Sequence, residues 1–197
     1  MSLYRFSKRE YLEDFVQGKL SFAPALFYDD VRLSLAQRDN EVTRTLKPDL
    51  KKSRFFINNS PINGLREVEL KHTARDSEGD IFNYYLMSLS TECDEKFFNE
   101  FKADSCVEVV NEVEFENRLS EALNVMNWKG LLGAVNYFDS KALRGFTENN
   151  DILFSKPNGY GWQKEYRVVI FPLEKEIMNG RKVVDVGDLS DIVRFVR

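Results

Sequence analysis

The chain has one histidine, His72, and two cysteines, Cys93 and Cys106, among 197 residues. With a single imidazole, a Ser-His-Asp triad has only His72 to use, and no G-x-S-x-G elbow surrounds any serine. His72 ends a strand-like run and reads as a structural or surface residue. The cysteines lack C-x-x-C spacing, and one histidine does not complete an ordinary zinc site, so no metal site is expected. Neither phosphate-cradling loop, G-x-x-x-x-G-K-[ST] or G-x-G-x-x-G, occurs. Signal peptide, lipidation motif and long apolar run are also missing. These absences lead us to expect a soluble cytoplasmic protein with reduced thiols and no membrane partner.

What is present is aromatic and mildly acidic. Hydrophobic residues make up 43 %, with 16 Phe, 8 Tyr and 2 Trp, which predicts an aromatic-rich core. The length suits one domain over residues 1–197. A net charge of -4 argues against a protein that coats nucleic acid generally. Arg32, Arg38, Arg44, Lys47, Lys51, Lys52 and Arg54 nevertheless form a basic segment, either a solvated loop or a local RNA or DNA contact.

Periodicity organises the chain. Ser2–Phe6 reads as a strand. Ser7-Lys8-Arg9-Glu10 is a capping box, with Phe6 and Tyr11 as a hydrophobic staple, for a helix whose apolar face is Tyr11, Leu12, Phe15 and Val16. Gly18 suits its stop, and Lys19–Phe22 a second strand. Ala25–Leu35 has a helical pattern, and a polar variable insertion is expected around 36–52. Strands are predicted at Arg54–Ile57, Leu65–His72 and Ile81–Ser90, the last of them central. Thr91–Phe101 reads as a short helix, Cys106–Val110 as a strand and Glu112–Asn127 as the clearest helix. Gly130–Phe138 reads as a strand, Ser140–Asn150 as a loop or short helix, and Tyr166–Phe171, Lys182–Val186 and Ile192–Val196 as later strands. Strands outnumber helices without regular βα alternation, which predicts an α+β fold.

Three polar features stand out. Arg5 lies inside an apolar strand, either as an edge arginine with its head in water or as a planar donor for an anion. Ser88 and Ser90 share a face at the end of the central strand. Gln163, Glu165 and Arg167 are spaced to project together where a Gly-containing loop enters a strand. A carboxylate there can hold a ribose hydroxyl and stabilise developing positive charge. Arg167 reads as its structural partner, and Gly159 and Gly161 as part of a candidate mobile loop.

Arg in the first strand, Ser ending a middle strand and Q-x-E before a later one resemble the R-S-E pattern of ADP-ribosyltransferases. The chain also resembles an uncharacterised bacterial and phage family of that fold, through Leu3-Tyr4-Arg5-Phe6 and Trp162-Gln163-Lys164-Glu165-Tyr166-Arg167. Its serine element corresponds to Ser88-Leu89-Ser90 or to Ser90-Thr91-Glu92. The resemblance implies an ADP-ribosyltransferase-like split β-sheet core and NAD as substrate. Arg5, Tyr4, Ser88 and Ser90 would bind it. Ser90 would position Glu165, Glu165 would bind the ribose and stabilise positive charge, and Gln163 would contact the incoming nucleophile. Tyr4, Tyr85, Phe138 and Trp162 are candidates for stacking, or for core packing. The acceptor implied is RNA, DNA or protein, in a toxin, phage-defence or counter-defence setting, with an antitoxin or regulatory partner. Two other readings stand beside it. Asp49, Glu69 and Lys71 could form the acid, E-x-K site of a metal-dependent nuclease. The chain could equally be a non-catalytic binding module.

Overall fold

The first strand sits inside the sheet, between two neighbours. In a computed structural model, residues 1–29, 40–52, 55–57, 60–61, 66–142, 148–174, 176, 178 and 180–197 are described. The elements run β1 (Leu3–Ser7), α1 (Arg9–Val16), β2 (Lys19–Pro24), β3 (Thr43–Leu46), β4 (Phe56–Ile57), β5 (Ser60–Pro61), β6 (Leu70–Thr73) and β7 (Tyr85–Ser90). They continue through α2 (Lys96–Glu100), β8 (Ser105–Val109), α3 (Glu112–Val125), β9 (Trp128–Ala134), β10 (Asn136–Phe138), α4 (Asn149–Leu153), β11 (Ser155–Pro157), β12 (Glu165–Pro172), β13 (Lys182–Asp185) and β14 (Val193–Phe195). Short 3-10 turns occupy Ala25–Asp29 and Asn158–Gln163.

Eight strands form one antiparallel sheet, so the α+β expectation agrees with the architecture. Its centre is β7, the apolar run Tyr85–Ser90. One edge of β7 pairs with β12 over its full length, from Glu165↔Ser90 to Ile170↔Tyr85, and β9 pairs beyond β12. The other edge is shared. Ala23 and Pro24 of β2 pair with Leu86 and Tyr85, while β1 pairs only through Tyr4↔Ser90. Between these contacts the sheet forks, into β2–β13 on one arm and β1–β8–β14 on the other.

Alternation then sorts the two faces. Tyr85, Met87 and Leu89 of β7 join Tyr166, Val168 and Ile170 of β12 in the main core. Leu12 and Phe15 of α1, and Phe115, Leu119 and Leu123 of α3, cover that face. Each of these buried side chains contributes about 1.5–3 kcal/mol relative to exposure. The opposite face has two smaller apolar clusters. One includes Tyr84, Leu86, Leu153 and Val169, and the other Phe6, Phe97, Phe98 and Cys106. Ser88, Ser90, Glu165 and Arg167 occupy that face of the central strands.

Several boundaries differ from the sequence reading. Ser7 remains in β1, paired with Ser105, and the α1 amide of Arg9 is capped by Asp104 at 2.8 Å. Tyr11 is exposed, while Phe6 packs edge-on against Phe97 and Phe98, so neither capping box nor staple forms. Gly18 stops the helix as expected, at φ 84°. The helix expected from Thr91 is confined to α2, because the Thr91 amide and hydroxyl bind the Lys164 carbonyl. The expected strand 130–138 breaks at Val135: its amide still reaches the Glu165 carbonyl in line with the β9–β12 register, but the Asn136 amide turns to the Phe154 carbonyl, and β10 pairs with β11 instead. The expected polar insertion contains β3, paired with β6, with Glu41, Val42, Arg44 and Leu46 all buried. Of the expected helix Ala25–Leu35, only the turn up to Asp29 is described, and Arg32, Arg38, Arg54 and Leu65 lie outside the described residues. No described helix is long and apolar enough to cross a membrane.

Candidate active site

At the fork, the β1 and β2 arms leave a cavity of about 680 Å³. Arg5, Ser88, Ser90, Gln163 and Glu165 all line it. Its described lining carries the cations Arg5, Lys8, Lys19, Lys102, Lys156 and Arg181 against the carboxylates Asp14, Glu41 and Glu165. The cavity is therefore positive on a chain of net charge -4.

Glu165 opens β12 and is buried. Its Oε1 accepts from Ser88 Oγ at 2.7 Å and from Arg167 Nε at 2.8 Å. Its Oε2 meets Lys156 Nζ at 2.8 Å. Arg167 also reaches Glu41 at 2.7 Å, and Lys156 lies 3.6 Å from Glu41. Glu165, Arg167, Glu41 and Lys156 thus close a ring of alternating charge, with Arg44 on Glu41 at 3.1 Å. Burial by itself would raise the Glu165 carboxyl, but Arg167 and then Lys156 overcome that and hold it well below the carboxylate range. Burial would lower the Arg167 guanidinium, but Glu165 and Glu41 raise it above its ordinary value.

A carboxylate offers about four lone-pair sites. Ser88, Arg167 Nε and Lys156 take three at short distance. The remaining Arg167 contact to Oε2 is long, at 3.5 Å. Oε2 thus retains capacity for one further donor from the cavity.

Register places Ser90 directly opposite Glu165, and Tyr4 opposite Ser90 on its other side. The Ser90 hydroxyl nevertheless turns away and donates to the Gln163 carbonyl at 3.0 Å. It also accepts from the Glu92 amide at 3.2 Å. The Glu165 carboxylate is bonded by Ser88, its diagonal neighbour, where the resemblance implied Ser90. Ser90 instead ties the approach to β12 onto the end of β7.

Gln163 and Glu165 are not related by strand alternation, since Gln163 ends the 3-10 turn and Lys164 between them is left-handed at φ 48°. Both still reach Lys156, Gln163 Oε1 accepting from it at 3.1 Å. Tyr4 lies on the other face of β1 from Arg5, and its hydroxyl donates to Glu108 at 3.3 Å. Among the other stacking candidates, Tyr85 packs beside Trp128 in the main core, Phe138 is buried, and Trp162 stacks on Phe101.

Arg5 faces the cavity with its donors largely uncommitted. Nη1 donates to the Ser88 carbonyl, inside the unpaired part of the β7 edge. Among the described residues no carboxylate pairs with it. Burial pulls its guanidinium below the ordinary value, while Tyr28 and Glu165 oppose this and Arg181 adds to it. The edge-strand reading of Arg5 is thereby replaced by a cation in the fork, one hydrogen bond from a backbone carbonyl.

Glu41 and Lys156 escaped the sequence reading, and Arg44 enters it only as part of a basic segment. No motif or periodicity marks any of the three as a partner of Glu165 or Arg167. The Tyr137 hydroxyl, which accepts from the Glu165 amide at 2.9 Å, is likewise invisible in sequence. The nuclease residues make exposed local bonds. Glu69 pairs with Lys71 at 3.3 Å and Lys47 at 3.6 Å, and Asp49 accepts from the Lys51 amide at 3.0 Å. No group of three His, Cys, Asp or Glu among the described residues is placed to hold a metal. Arg44 of the basic segment is buried, so it is not available as a surface RNA or DNA contact. Cys106 is buried and Cys93 exposed, both free.

Comparison with protein-family models, with curated proteins and with solved structures finds no match.

Proposed function

We propose that the chain is an NAD-dependent ADP-ribosyltransferase acting on a macromolecular acceptor, with the split sheet of that fold. The meeting of Arg5, Ser88 and Glu165 at the fork carries this reading. Three strands far apart in sequence bring an uncommitted guanidinium, an orienting hydroxyl and a carboxylate to one positive cavity. Its volume lies within the range of small-molecule sites.

The residues divide the work. Arg5 holds a phosphate of the dinucleotide with its free donors. Ser88 and Arg167 fix the rotation of Glu165. Glu165 Oε2 accepts from a ribose hydroxyl and offers negative charge beside the carbon whose bond to nicotinamide breaks. The departing nicotinamide takes the bonding electrons, the acceptor nucleophile bonds to that carbon, and the acceptor's proton goes to solvent or a nearby base. Gln163 lies on the cavity side, where it can hydrogen-bond the incoming group. Lys156 and Arg167 temper the charge of Glu165 and keep it ionised.

A second reading, a nucleotide-binding module without catalysis, is favoured by the ion pairs that occupy both Glu165 oxygens. The two readings separate on labelled NAD incubated with total lysate, followed by fractionation into RNA, DNA and protein. Transfer of label by the wild type, lost in Glu165→Gln and lowered about 10-fold or more in Ser88→Ala, is expected. NAD binding without nicotinamide release would favour the module, and the absence of both binding and release would sink the transferase reading. Both substitutions remove the negative charge that Arg167 and Lys156 pair with, but Glu165→Ala is the poorer probe, since it also removes the acceptor oxygen and leaves a cavity in the buried site.

A further inference from the structure

The cavity holds a second guanidinium that the site described above does not use. Arg181 precedes β13 and lines the same space as Arg5. Among the described residues it pairs with no carboxylate. Neither guanidinium is paired with a described carboxylate, and like charges on one concavity repel, the sense in which Arg181 acts on Arg5. Arg181 instead lies over the Phe27 ring, 5.5 Å from its centroid, near the outer limit of a cation–π contact. Phe27 is an aromatic 41 % exposed, also on the cavity wall. An exposed ring beside a loosely held guanidinium is a poor core contact and a good surface for a flat, anionic ligand.

We propose that Arg5 and Arg181 form a two-armed clamp for the diphosphate of a nucleotide, with Phe27 stacking its base. The ligand then lies along the fork, with its base at the β2 arm and its other end toward Glu165. On binding, Arg181 exchanges the weak ring contact for a charge-assisted bond to phosphate, which uncovers the Phe27 ring. This assignment rests on the transferase reading only for what lies beyond the diphosphate. The clamp itself takes any nucleoside diphosphate.

Calorimetric titration with ADP and with inorganic pyrophosphate tests it. Arg181 and Phe27 are both exposed, so their variants are expected to fold, and a melting curve checks this. Arg181→Gln should weaken both ligands about 10-fold. Phe27→Ala should weaken ADP about 10-fold and leave pyrophosphate unchanged. Failure of the wild type to bind either ligand, or unchanged ADP affinity in both folded variants, overturns the clamp. NAD turnover that is indifferent to both variants does so too, and leaves the transferase reading standing. ADP binding that follows the expected pattern without NAD turnover supports the clamp and sinks the transferase reading.

Discussion

Glu165 is a buried carboxylate kept ionised by its neighbours, and that has a pH signature. Its carboxyl is depressed in the folded chain, so the stability it contributes is complete above the unfolded value, about 4.3. It is lost as pH falls from there toward the folded value. The stability difference between wild type and Glu165→Gln should therefore be constant from about pH 6 to 8. It should narrow steadily below about pH 4. Denaturant titrations across that range measure it, and a gap that widens in acid would contradict the ion-ring assignment. Ser88 and Ser90 illustrate how fine the residue scale is. Both hydroxyls were legible as a pair on one face. Which of them reaches Glu165 depends on the Gln163 carbonyl beside Ser90, and that carbonyl is placed by a left-handed Lys164 that no periodicity reports.

At the scale of elements, the turn after α1 is fixed by backbone contact. Gly18 is left-handed, and a Cβ there would stand 1.8 Å from the Gly187 carbonyl oxygen. The Gly18 carbonyl also accepts from Val186, which joins the turn to the end of β13. Gly18→Ala should cost more than the roughly 1–2 kcal/mol of a left-handed alanine, because the facing backbone must also move. A lowered urea midpoint measures this, and an unchanged midpoint would disprove the close approach. α3 was the most legible element, since Phe115, Leu119 and Leu123 repeat at helical spacing and all are buried. The Thr91 helix failed for a tertiary reason: its cap groups are drawn to the carbonyl of Lys164, remote in sequence.

Across the whole molecule, the ion ring binds together parts remote in sequence. Glu41 comes from the segment before β3, Lys156 from β11 and Glu165 and Arg167 from β12. Removing one member leaves buried charge uncompensated, so Glu41→Ala should destabilise the fold by about 3–5 kcal/mol. Equilibrium unfolding tests it. A loss within the ±0.5 kcal/mol usual for surface changes would mean that residues 40–46 are the polar insertion their composition suggests.

The sequence by itself determined the α+β class, a central strand within Ile81–Ser90, a helix within Glu112–Asn127 and the prominence of Arg5, Ser88, Ser90, Gln163 and Glu165. These follow from periodicity and from charges set in apolar strands, which are local properties. The structure trims the strand to Tyr85–Ser90 and the helix to Glu112–Val125. Only the tertiary structure decided that the sheet forks beside β7, that Arg5 fills the gap, that Ser88 holds Glu165, and that Glu41, Lys156 and Arg181 belong to the same cavity. Those facts depend on which strand edges are left unpaired and which charges are buried together. Pairing and burial join residues more than a hundred positions apart, a distance over which no spacing in the chain carries a signal.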